Sequence, residues 1–129
     1  MVRLTDLIAA CLIFLCTISF AHAETGQDLV KGCQTLIQGI KPDPANSQMI
    51  ELPAYAGANQ CWGYFLAVQQ YATLVDANQK RLTATCPNNT TLTQIIQAFL
   101  AYAGANPKAL SENAGVASYN MMHQVYPCN

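Results

Sequence analysis

What most constrains this chain is where its cysteines fall relative to an export signal. Residues 1–23 read as such a signal. Arg3 makes a short basic start, and Leu7 to Phe20 is an apolar run broken only by Thr17 and Ser19. Ala21-His22-Ala23 is a small-x-small cleavage site. The run falls short of the roughly 20 residues a membrane span needs. Cys11 and Cys16 leave with the signal, and Cys33, Cys61, Cys86 and Cys128 remain. An even number of cysteines behind an export signal is a disulfide framework, and four of them allow three pairings. A zinc site is disfavoured, because there is no Cys-x-x-Cys and His123 is the only histidine after residue 23. Residues 24–129 suit one domain with one core, and neither metal nor cofactor is expected.

Apolar periodicity between the cysteines is helical. Thr25-x-x-Asp28 resembles a capping box. Behind it Leu29, Cys33, Leu36 and Ile40 fall on one face, until Gly39, Pro42 and Pro44 end the helix. A long connection, Lys41 to Ala58, carries Met49, Ile50, Leu52 and Tyr55, so it either lids the core or faces a partner. A second helix is expected from Asn59, as N-cap, to Leu82. Its apolar line is Cys61, Phe65, Val68, Ala72 and Val75, widened by Tyr64, Tyr71 and Leu74, with an Asp76–Lys80 pair on its polar stripe. So narrow a polar stripe predicts a central helix covered on most sides, and Gly63 offers close backbone approach. Thr91-x-x-Gln94 is a strict capping box for a third helix with Leu92, Ile95, Ile96, Phe99 and Leu100 on one face. Asn106-Pro107 interrupts it, Lys108-Ala109-Leu110 crosses over, and Ser111 is the expected cap of a fourth helix. That helix has Ala114, Ala117, Met121 and Val125 on its core line and Val116, Tyr119, His123 and Tyr126 on a second line. The expected fold is all-α: a small disulfide-stapled bundle of four main helices. Ala-Tyr-Ala-Gly-Ala-Asn occurs at 54–59 and again at 101–106, but without flanking similarity it is a coincidence of an alanine-rich chain.

Charge excludes several classes of partner. After residue 23 five basic residues stand against six acidic ones, with no basic stripe for phosphates and no polybasic run for anionic lipid. Nucleic acid and membrane surfaces are therefore poor partners, and recognition must rest on uncharged polar and aromatic groups. Catalysis lacks a constellation. His123 is the lone base for any cysteine nucleophile, the carboxylates are scattered, and no glycine-rich phosphate loop exists. A binding protein rather than an enzyme is expected.

The ordered set Cys61-x-Gly63-Tyr64-Phe65, Cys86-Pro87, Thr91-x-x-Gln94, Asn106-Pro107 and aromatic-Pro127-Cys128 resembles the Rap/Tai family of periplasmic immunity proteins, over Thr25 to Cys128. It departs from the family pattern at Lys108, where an acidic residue is common, and at Phe65, where an aliphatic is. The resemblance implies a small exported helical protein, often a homodimer. Such a protein neutralises a cognate peptidoglycan amidase effector delivered by type VI secretion. The alternative is a small periplasmic holdase chaperone, although few groups are present to titrate in acid.

Antiparallel third and fourth helices would place Cys86 beside Cys128, leaving Cys33 to pair with Cys61. Family members plug the effector's cleft with a segment of their own. By that resemblance the crossover Tyr102 to Leu110 is the favoured effector-binding segment, with Tyr102, Asn106 and Lys108 as candidates and the latter two exposed. Met49 and Tyr55 of the long connection are the second choice.

Overall fold

The computed structural model describes residues 24–42 and 50–128. The expected export signal at residues 1–23, with Cys11 and Cys16, and Met49 lie outside the described residues. Five helices are present among them: α1 Gly26–Gly39, α2 Ala56–Ala72, α3 Leu92–Ala105, the single turn α4 Lys108–Ser111, and α5 Ala114–Val125. β1 Lys41–Pro42 and β2 Ile50–Glu51 form a two-residue antiparallel ladder within the long connection, pairing Lys41 with Glu51. The fold is all-α with four main helices, as the periodicity requires.

Both capping boxes form. Thr25 accepts from the backbone N–H of Asp28, and Thr91 does the same for Gln94, each with the reciprocal side-chain bond in place. The hydroxyl and carboxylate of Thr25 and Asp28 lie 2.7 Å apart. These hydrogen bonds hold the Asp28 carboxyl below its ordinary value, the Thr25 hydroxyl contributing most.

α1 is the hub, in contact with α2, α3, α4 and α5. Leu29, Cys33 and Leu36 on its inner face are buried with Phe65 of α2, Ile95, Ile96 and Phe99 of α3, and Ala117 and Met121 of α5. Phe65 and Phe99 sit at the centre, ring centroids 5.0 Å apart. The start of α1 is also tied to the start of α5: Gly26 N–H donates to Glu112 O at 2.8 Å, and Ala114 N–H donates to Glu24 O at 2.9 Å. Gly26 is required there, since a Cβ would overlap the carbonyl of Ala109.

The structure corrects the expectations for the second helix. It begins after Tyr55 rather than Asn59, and it ends at Ala72, ten residues before Leu82. Local hydrogen bonding outcompetes propagation beyond Ala72. Asp76 Oδ1 accepts from the backbone N–H of Asn78 at 2.8 Å and of Lys80 at 2.9 Å, building a turn in which Gln79 takes a φ of 63°. Val75 then pairs with Arg81 as an antiparallel bridge. Arg81 Nη1 donates to the orphan carbonyl of Ala72 at 2.7 Å, closing the helix end. Asp76 is thus a turn former and not an ion-pair partner of Lys80.

Nor is α2 covered on most sides: Leu66 and Tyr71 are 41% and 55% exposed. The close backbone approach expected at Gly63 is elsewhere. Nothing lies within 4 Å of a Cβ built on Gly63, whereas one on Gly32 would overlap the carbonyl oxygen of Gly57. The last helix is capped by Asn113, whose Oδ1 accepts from Gly115 N–H at 2.8 Å, and not by Ser111. Ser111 closes the short α4, donating to Lys108 O at 3.0 Å. Val125, read as core, is 43% exposed because α5 ends there.

Candidate binding surface

Two disulfides clip the bundle. Cys33–Cys61 joins α1 to α2 with Cα atoms 5.2 Å apart, and Cys86–Cys128 joins the segment before α3 to the chain end, Cα atoms 4.9 Å apart. These are the two pairs that antiparallel third and last helices imply. Cys33 and Cys61 are wholly buried, whereas Cys128 is exposed. The second clip is reinforced by backbone pairing: Cys86 N–H donates to Tyr126 O at 2.8 Å and Cys128 N–H to Ala84 O at 3.2 Å. With all four cysteines bonded, His123 has no thiol to activate. Its ring lies tilted against that of Tyr119, centroids 4.3 Å apart, and its Nε2 is buried without a hydrogen-bond partner among the described residues. No group of three metal-ligating side chains exists among the described residues.

The crossover between α3 and α5 is a held turn. Tyr102 packs partly buried against the core. Asn106 is partly buried, not exposed as expected, because its Nδ2 donates to Tyr102 O at 2.8 Å and its backbone N–H bonds the same carbonyl at 2.9 Å. It is therefore a C-terminal cap of α3. Lys108 does project, with 87% of its side chain exposed, and meets Glu112 at 3.4 Å. In the other candidate segment Tyr55 is 54% exposed beside the start of α2, while Leu52 packs against the core. The structure brings Tyr102, Asn106 and Lys108 together on one turn; no hydrogen bond or ion pair among the described residues joins Tyr55 to them.

A feature that residue-level reading missed lies between α2 and α5: a groove of about 330 Å³. Tyr64, Ala67, Val68 and Tyr71 form one wall, and Gly115, Ser118, Tyr119 and Met122 the other. Thr83 and Thr85 close the end beside the second disulfide. Tyr71 and Tyr119 are each 55% exposed at the rim. Inside, Thr85 donates to Thr83 at 3.0 Å, and Ser118 Oγ donates to Ala114 O at 2.6 Å while lying 3.2 Å from Tyr64 Oη. Burial pushes the Tyr64 phenol above its ordinary value, opposed by the Ser118 hydrogen bond. The signal available in the sequence was three tyrosines on helix flanks, Tyr64, Tyr71 and Tyr119; read as core or second-line positions, they are the groove's wall and rim.

The fold defines a class, a small all-α domain clipped by two disulfides with tyrosines exposed on its surface. The model of the Rap1a immunity proteins matches residues 25–128, so the chain belongs to the Rap1a immunity protein family. No curated protein and no solved structure matches it.

Proposed function

We propose that this protein is a periplasmic immunity protein that binds and blocks a peptidoglycan-cleaving amidase toxin of a type VI secretion system. The observation that carries the reading is the family match across residues 25–128, which spans every described helix and both disulfides. Two disulfides suit an oxidising compartment, and residues 1–23 are the export signal that would deliver the chain there. No helix among the described residues is long and apolar enough to cross a membrane.

In this reading the protein itself hydrolyses nothing. It excludes substrate from the toxin's cleft, with the crossover as the inserted segment: Lys108 projects from a turn whose base is held by the Asn106 cap. Leu74, Val75 and Leu82, exposed on the turn after α2, supply the face for a second copy in a homodimer. The test is titration calorimetry against the toxin encoded by the adjacent gene. Lys108→Glu should weaken binding at least tenfold, about 1.4 kcal/mol, with an unchanged melting curve. Undiminished binding moves the site to Tyr55 and Met49. Absence of any binding, with client capture at acid pH, favours a holdase instead.

A further inference from the structure

We infer that the groove between α2 and α5 receives one neutral, apolar side chain of the toxin, an aromatic or branched aliphatic group presented on a protruding loop. The inference rests on the immunity reading and adds a second contact site to it, apart from the crossover. No Asp, Glu, Lys, Arg or His lines the groove, so a charged group would be desolvated without a partner there. The hydroxyls inside it, away from the rim tyrosines, are engaged: Thr85 with Thr83, and Ser118 with the Ala114 carbonyl and Tyr64. They ask for no polar group from outside. A volume of about 330 Å³ is at the small end of ligand sites, enough for one or two side chains and too little for a whole helix.

A second copy of this chain does not fit. A two-fold dimer sets the same patch against itself, which would put hollow against hollow. The rim tyrosines, each 55% exposed, offer together about 200 Å², against the roughly 800 Å² per partner of a stable interface. What such a hollow with an aromatic rim suits is a single inserted anchor inside a larger contact.

Ala67 is the place to test this, because it is exposed, lies on a groove wall and belongs to no core contact. Ala67→Trp fills the groove from outside the core. The expected result is about 30-fold weaker binding of the adjacent-gene toxin by calorimetry, with melting temperature and sedimentation unchanged. Tyr71→Ala, which removes rim without adding bulk, should weaken binding about tenfold. Toluene at millimolar concentration should shift the ring resonances of Tyr71 and Tyr119 in the wild-type protein and leave those of Ala67→Trp unmoved. Toxin binding by wild type and both variants alike would overturn the groove while leaving the immunity reading standing. An altered sedimentation coefficient in Ala67→Trp would give the groove to a second copy and overturn the proposal. Failure of the wild-type protein to bind the toxin would overturn the immunity reading and the assigned occupant together.

Discussion

The two sides of α2 are built on opposite principles. Toward α1 the backbones nearly touch at Gly32 and Gly57, and the fully buried Cys33–Cys61 bond locks the contact. Toward α5 the same helix stands off, leaving a groove with tyrosines at its rim and a second, partly exposed disulfide behind its end wall. The first side spends small residues on closeness. The second places Tyr64 between the helices, its hydroxyl 3.2 Å from Ser118 of α5, and leaves Tyr71 at the rim. The difference teaches that rigidity and accessibility can be separated on one helix: the tight side fixes the position of α2, so the open side keeps its shape without being filled.

Removing each disulfide is the strongest way to break the comparison. Sequence separations of 28 and 42 residues give both bonds about 3–4 kcal/mol on the chain-entropy model, slightly more for the longer loop. Burial reverses that order. Cys33→Ala with Cys61→Ala also leaves a cavity in the packed contact and should cost about 5 kcal/mol in all. Cys86→Ala with Cys128→Ala should cost only the roughly 3–4 kcal/mol of the loop term. Urea denaturation of the two double variants measures this. A larger loss from the exposed pair would mean that loop length outweighs packing.

Glycine substitutions sharpen the comparison at single positions. Gly32→Ala gains up to about 1 kcal/mol of helix propensity, yet its Cβ meets the Gly57 carbonyl, so the helices must separate. A net loss of about 2 kcal/mol is expected from the forced displacement, read as a lowered melting temperature. Gly63→Ala, on the same helix pair but with nothing within 4 Å, should stabilise by about 0.5–1 kcal/mol. Equal effects at the two sites would deny that the approach at Gly32 is tight.

The smallest effect concerns the N-terminus of α1, the helix that anchors the tight side. The Asp28 carboxyl is held below its ordinary value in the fold by Thr25. Its contribution is therefore fully present above the unfolded carboxylate value of about 3.9, and it is lost as pH falls through the lower folded value. Thermal melts of wild type and Asp28→Asn should differ at pH 5, and the difference should shrink toward pH 2. The Thr91–Gln94 box of α3 contains no titrating group, so Thr91→Ala should cost about 1 kcal/mol at either pH.

Residue order alone determines where two of the four main helices, α1 and α3, begin and stop to within a residue or two, because those limits are local chemistry. Thr25 and Thr91 cap with their own third neighbours, and Gly39 and Pro107 interrupt. It also shows the core faces of α1 and α3, where Leu29, Leu36, Ile95, Ile96 and Phe99 keep a helical period and are all buried. The end of α2 was not legible. Val75 continues an apolar line as well as any helical residue, and the helix is stopped by the Asp76 turn together with Arg81, which folds back across that turn to the carbonyl of Ala72. The hexapeptide at 54–59 and 101–106 makes the same point: one copy opens α2 and the other closes α3.

Asn106 needed the fold as well. Its residue type permits an exposed donor or a cap, and the free carbonyl of Tyr102 decides for the cap. The groove depends on tertiary structure entirely. An apolar flank looks alike in sequence whether a neighbour covers it or stands off, and that outcome is set by how closely α2 is drawn toward α1 on its other side.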